Sequence, residues 1–270
     1  LDQDSADLEK NMFIKKEEIN TLYPEKPAGF SKDKKRILSN PPMKLDPKSG
    51  CYVSVENLSN EVSFEARNFF RKHGYLVIYG ISDKKIFYES PPKERGQITY
   101  YGSENNFQHL KDEGTVEGSI SRCDHPRLKF THSQIRLKIE KILGEKLYNT
   151  YYYDRFYFKG QRLLRHLDRE ACEISLTYQV SSNSKKPWPI CFETPNGEER
   201  YINLEDGQAV LYKGVDLEHW REPLISRYNF FEKSLNKLKL KEDDTYHHQI
   251  FFHYVRQNGE FAHCAYDRTR

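Results

Sequence analysis

No stretch of the chain approaches the roughly 20 consecutive apolar residues that a membrane-spanning helix needs, which excludes a helical membrane protein. The visible N-terminus is acidic and polar where a signal peptide would be basic and then apolar. The chain begins at Leu1 rather than Met, which is compatible with a targeting segment removed upstream; the expected location is the cytoplasm. Cysteine is sparse: Cys51, Cys123, Cys172, Cys191 and Cys264 are odd in number and form no Cys-x-x-Cys pair. That argues against a disulfide framework or a thiolate zinc cluster and favours a reducing compartment. Charge of one sign is also lacking, because 43 Lys and Arg stand against 40 Asp and Glu for a net +3, too little to imply a nucleic-acid or membrane partner. No internal repeat or low-complexity tract is present.

Aromatic residues are plentiful. With 37% apolar residues the chain is modestly hydrophobic, but 19 Tyr and 16 Phe can supply core area while their edges and hydroxyls satisfy polar neighbours. A length of 270 residues suits one large domain. Residues 1–50, rich in Lys, Asp, Ser and Pro, read as an extended arm lying over a domain of residues 51–270. From Ser63 to His73 the chain reads as a helix with Phe64, Phe69 and Phe70 on one face, stopped by Gly74 and followed by a strand over 75–79. Residues 89–130, punctuated by Pro and Gly, read mostly as loop. Ser133 reads as the N-cap of a second helix carrying Ile135, Ile139, Ile142 and Leu143 and ending at Gly144. β-rich runs follow at 151–158, 172–180, 209–212 and 249–255. Helices first and strands later suggest an α+β domain on an antiparallel barrel or sandwich.

His166-Leu-Asp168 places an imidazole and a carboxylate two residues apart, on the same face if the segment is a strand. The pair suits a divalent first-row metal, although His-x-Asp alone arises readily by chance. His219 follows a turn-strand-turn segment, 205–214, and would be a third ligand if the fold brings it back. Three protein ligands on one face of an octahedral iron leave positions for a bidentate 2-oxoacid and for dioxygen. Cys172 and Cys191 read as structural, and the His247–His248 pair as surface or hydrogen-bonded residues, with His248 an alternative lining of the way in.

The ordered motifs Thr150-Tyr-Tyr-Tyr-Asp-Arg-Phe-Tyr157, Arg165-His-Leu-Asp-Arg-Glu-Ala-Cys-Glu-Ile-Ser175, Trp188-Pro-Ile190, Asp206-Gly207, Tyr212-Lys-Gly-Val-Asp-Leu-Glu-His-Trp-Arg-Glu-Pro223, His253-Tyr254 and Asn258-Gly259 together resemble the iron(II)/2-oxoglutarate dioxygenases of the prolyl-hydroxylase-like superfamily. The branch they are most similar to is common in marine microbes, algae and their viruses. The resemblance spans about residues 130–270. It implies a double-stranded β-helix, or jelly-roll, core over about 148–257 with supporting helices. The cofactors it implies are Fe(II) held by His166, Asp168 and His219, 2-oxoglutarate as co-substrate, and O2. It also implies a buried cation for the 2-oxoglutarate 5-carboxylate. Relatives often carry it about ten residues after the distal His, where this chain has none. Arg221, two residues after His219, is the first candidate, with Tyr157 assisting; Arg155, which alternates with Tyr157, is expected to face inward too, Gln179 to line the pocket from the neighbouring strand, and Arg227 is an alternative. Arg169, Glu173 and Trp188 are expected near the primary substrate.

The activity expected is oxidation of an unactivated C–H bond, by hydroxylation or oxidative cyclisation, in a small, anionic, amino-acid-like substrate. Asp168 stands where halogenating relatives have Gly or Ala, which argues against halogenation. A peptidyl prolyl- or lysyl-type hydroxylase, a cupin-type enzyme and a non-catalytic metal-binding β-barrel module are the rival readings. Residues 224–246 make a long link before the last strand and are expected to act as a lid.

Overall fold

The computed structural model describes residues 43–46, 50–228 and 243–269. The expected arm therefore lies largely outside the described residues, as does 229–242 of the expected lid. Within the described part of the arm, β1 (Met43–Asp46) pairs antiparallel with β2 (Gly50–Ser54) at the edge of the large sheet.

Helix α1 spans Asn60–His73. The Ser59 hydroxyl accepts the Val62 amide, satisfying one of the orphan donors of the first turn. Gly74 closes the helix at φ +81°, a conformation glycine adopts without Cβ strain. Phe70 is buried, but Phe64 is 56% exposed; the three phenylalanines do not share one buried face, because Phe64 and Phe70 are too far from an integral number of turns apart. Strand β3 (Tyr75–Tyr79) follows directly.

The region expected to be loop holds three strands: β4 (Gly96–Tyr100), β5 (Phe107–Leu110) and β6 (Ile120–Cys123). They extend the large sheet beyond its core, and β5 is exposed throughout. Strands this short and polar lack the alternation that marks a half-buried strand. Helix α2 spans Pro126–Leu143, so it starts before the expected cap. Pro126 sits in its first turn, where a missing N–H costs nothing. Ser133 lies inside the helix, its hydroxyl accepting from Asn149 Nδ2 at 2.8 Å.

The remaining strands are β7 (Leu147–Phe158), β8 (Leu163–His166), β9 (Ile174–Ser182), β10 (Ile190–Glu193), β11 (Glu199–Ile202), β12 (Gln208–Tyr212), β13 (His219–Arg221) and β14 (Tyr246–Arg256). The chain passes back and forth between two sheets. The large sheet contains the order β12-β9-β14-β7, and the small sheet is β11-β10-β13-β8. This alternation is the double-stranded β-helix. Cys172, expected in a strand, lies instead in a short 3-10 turn over 170–172 that precedes β9.

The outer face of the large sheet, with Leu176, Tyr178, Ile250, Phe252 and Tyr254, packs under α1 and α2 against Ala66, Phe70, Ile135, Ile139 and Leu143. Burying each such aliphatic side chain contributes roughly 1.5–3 kcal/mol. Its inner face meets the small sheet, where Tyr75, Val210 and Tyr212 pack on Ile190 and Phe192. That inner face is also polar: Ser175, Thr177, Gln179 and Ser181 alternate along β9, and His247, Gln249 and His253 along β14, all of them buried. Buried hydrogen-bonding groups in such number belong to a site rather than to an oily core.

Candidate metal centre and its surroundings

Strand β8 ends at His166, and β13 begins at His219, directly opposite it in the antiparallel register. The two imidazoles lie 4.3 Å apart between ring centroids. Asp168 is not on the strand but just past it. Its amide donates to the Gly214 carbonyl at 2.9 Å, which turns the carboxylate back toward both rings. Asp168 Oδ1 stands 3.6 Å from Nε2 of His166 and 3.6 Å from Nε2 of His219. One donor atom from each of the three residues falls within 4.8 Å of the others.

The outward atoms of these ligands are already committed. His166 Nδ1 faces the Leu164 carbonyl at 2.7 Å and His219 Nδ1 faces that of Leu217 at 3.0 Å, so with N–H at Nδ1 both rings direct a lone pair from Nε2 inward. Ser175 Oγ donates to Asp168 Oδ2 at 3.0 Å, leaving Oδ1 for an ion. Two neutral nitrogens and one carboxylate oxygen fit a divalent first-row metal. Burial holds His219 below the ordinary imidazole range. For His166 burial also pulls down, but the neighbouring Asp168 outweighs it and the net direction is upward. Asp168 is lowered although burial opposes it, because His219 and His166 stand beside it.

Gly214 is the tightest point of the cradle. A Cβ there would stand 2.5 Å from Asp168 Oδ2 and 2.8 Å from Ser175 Oγ, and closer still to the Cys172 carbonyl. Ser175 also contacts the Cys172 carbonyl at 3.0 Å and His253 Nδ1 at 2.9 Å. Sequence reasoning missed Ser175, Gly214 and His253 as parts of the site. All three lie within the quoted motifs, and Gly214 between a strand and the distal His was the most accessible signal.

The candidate co-substrate residues separate clearly. Arg221 is 2% exposed and, among the described residues, has no carboxylate partner. Its Nη1 donates to the Trp188 carbonyl at 2.5 Å and its guanidinium lies 4.6 Å from the Trp188 ring. Burial lowers it to about 10, with the nearby Tyr157 hydroxyl acting the other way. Tyr157 faces the same interior, edge-on to Trp188 at 5.0 Å. Arg155 is equally buried, but its Nη2 pairs with Glu113 at 2.7 Å and its Nη1 donates to Tyr157 at 3.2 Å. Glu113 comes from the segment before β6 and neutralises it. Arg227 is on the surface, paired with Asp244 at 2.8 Å. Gln179 accepts from Gln249 Nε2 at 3.2 Å and lines a cavity of about 740 Å³ with Trp188 and His247, none of the three candidate ligands being in that lining.

His247 and His248 are both buried, not on the surface. His248 faces outward from the barrel, bonded to Asp154 at 2.8 Å and stacked on Phe156, so it does not line the way to the triad. The Asp154 carboxylate is held well below its ordinary range by Arg122 and His248, against burial.

No protein-family model and no curated protein matches this chain. Solved structures similar to it include a prolyl-4-hydroxylase from Pseudomonas putida, at 12% identity over 72% of this chain and 98% of that one, TM-score 0.45. A 2OG-Fe(II) oxygenase family oxidoreductase from Burkholderia pseudomallei is 11% identical over 77% of this chain and 94% of that one, TM-score 0.47. A prolyl hydroxylase from Trichoplax adhaerens, in complex with a hypoxia inducible factor peptide, is 10% identical over 73% and 90%, TM-score 0.47. At these identities, what the side chains of this chain do follows from their own geometry.

Proposed function

We propose that this chain is an iron(II)- and 2-oxoglutarate-dependent oxygenase that oxidises a C–H bond of a small, anionic, amino-acid-like molecule. The observation that carries the reading is the convergence of His166, Asp168 and His219 on one point within a barrel whose interior also holds Arg221, a buried cation with no carboxylate partner among the described residues. An unpaired buried charge costs several kcal/mol. A ligand carboxylate would remove that cost, and a purely structural metal site has no use for it.

Iron(II) with 2-oxoglutarate and dioxygen supplies oxidative decarboxylation coupled to oxidation of a C–H bond. His166, Asp168 and His219 would hold the ion, and a single carboxylate among three ligands leaves it net positive toward a 2-oxoacid. Arg221 would pair with the 5-carboxylate while Tyr157 donates its phenol. Gln249 Oε1, buried with no partner among the described residues, is a further polar atom that an interior ligand would satisfy. Arg155 is a poor rival because Glu113 already neutralises it, and Arg227 because it is on the surface. The apolar and aromatic walls around Trp188, Leu163, Leu224 and Phe251 would exclude water from the carboxylate end.

An anionic substrate is supported by Arg169, the cation next to Asp168 in the chain. Arg165 is ringed by Glu193, Glu199 and Glu218, whereas Arg169, which follows Asp168, has one carboxylate partner among the described residues, Asp267 at 2.6 Å, and also donates to the Thr269 carbonyl. A substrate anion can exchange for Asp267. The test of the reading is anaerobic titration with iron(II) and then 2-oxoglutarate, watching for the weak visible charge-transfer absorption of the chelate. Absence of that band, together with no conversion of 2-oxoglutarate to succinate in air, would sink it.

A further inference from the structure

A second group of metal-type donors lies on the surface, outside the barrel. Glu170 opens the 3-10 turn at 170–172 and meets the turn Ala262–Cys264 from the far end of the chain. Its Oε2 is 3.0 Å from His263 Nε2 and 3.9 Å from Cys264 Sγ. The three donors lie within 4.8 Å of one another. A third potential group, Asp168, Cys172 and His253, shares Asp168 with the triad and is not independent of it.

We infer that Glu170, His263 and Cys264 form a second metal site, suited to Zn2+, that ties the C-terminal turn to the segment following Asp168. Thiolate, imidazole and carboxylate are the donor types zinc takes, at about 2.3, 2.0 and 2.0 Å. Tetrahedral bonds of those lengths separate O from N by about 3.3 Å and O from S by about 3.5 Å. The observed 3.0 and 3.9 Å differ from these by a few tenths of an ångström, a shift that exposed side chains make easily. His263 Nδ1 faces the Glu260 carbonyl at 3.3 Å, the same backbone device that orients the imidazoles of the triad. Cys264 is the one cysteine of the five that is not buried, so a hydrated ion can reach it. Binding would release the thiol proton to solvent, form the metal–sulfur bond and leave a fourth position to water. Without a metal the same residues are an exposed ion pair of little energetic consequence.

Cobalt(II) separates the two sites, because only a cysteine-bearing site produces a sulfur-to-cobalt charge-transfer band in the near ultraviolet. The chain, stripped with EDTA and dialysed, is titrated anaerobically with Co2+. The expected result is such a band, bleached by Zn2+, lost in Cys264→Ser and kept at full intensity in the His166→Ala/Asp168→Ala double variant. Glu170→Gln and His263→Asn, which leave the thiol in place, should each raise the Co2+ dissociation constant roughly tenfold or more. No band in the wild-type chain, a band that survives Cys264→Ser, or unchanged affinity in both Glu170→Gln and His263→Asn would overturn the assignment. None of these outcomes depends on iron or 2-oxoglutarate.

Discussion

His219 stands opposite His166 in the β8–β13 register, so the two imidazoles are held by backbone hydrogen bonds of one sheet. Asp168 depends on a looser device, the turn after β8 and its contacts to Gly214 and Ser175. The histidines are therefore pre-set by the sheet, and the carboxylate is the adjustable member of the three.

Loss of any one ligand should abolish turnover. His166→Ala, Asp168→Ala and His219→Ala are each expected to eliminate succinate formation from 2-oxoglutarate, since each removes one of three donors. Full activity in any one of them would remove that residue from the site.

Gly214→Ala should weaken iron binding although it touches no iron ligand through a side chain of its own. The added methyl cannot coexist with Asp168 Oδ2 at 2.5 Å, so the carboxylate must turn away from the histidines. Ser175→Ala, which only deletes a hydrogen bond to that carboxylate, should cost about 1.5–3 kcal/mol in metal affinity at most. Competition of the iron-loaded protein against a chromophoric chelator measures both. Equal affinity in Gly214→Ala and wild type would show that Asp168 has room the structure does not reveal.

Arg221→Ala should raise the KM for 2-oxoglutarate far more than Tyr157→Phe does. Leaving a carboxylate without its buried cation costs roughly 2–5 kcal/mol, against about 1 for one neutral hydrogen bond, so the first change is about 30-fold or more and the second about fivefold. Arg227→Ala, at the surface, should leave KM unchanged. A large effect at Arg227 with none at Arg221 would reverse the assignment.

Acid sensitivity should trace in part to His132, away from the triad. Burial among Tyr152, Phe252 and Tyr254 lowers it from 6.5 to about 3, and its Nε2 donates to the His253 carbonyl at 3.0 Å. The unfolded chain takes up this proton near 6.5 and the folded chain does not, so stability is full above that pH and falls as pH drops toward 3. By pH 5 this one group should cost about 2 kcal/mol. Urea unfolding at pH 7.5 and pH 5 should show a smaller gap by that amount in His132→Phe; an unchanged gap would rule His132 out.

The local chemistry of this chain was legible in its sequence. Alternation and aromatic density marked β7, β9, β12 and β14, Gly74 and Gly144 marked the helix ends, and the spacing of His166 and Asp168 suited a metal. These are properties of neighbouring residues, and short-range sterics and periodicity decide them. Other features depended on partners distant in sequence. The alternation of β9 and β14 distinguishes two faces, but only the closing of the second sheet makes the polar face an interior. Arg221 is the first candidate by its place two residues after His219, but Arg155 stays open until Glu113 is brought across to neutralise it. The strands β4, β5 and β6 are built outward from the edge of β7, with β6 pairing to β7, β4 to β6 and β5 to β4. Backbone pairing and charge compensation across long stretches of chain are set by tertiary contacts, and no window of sequence contains both partners.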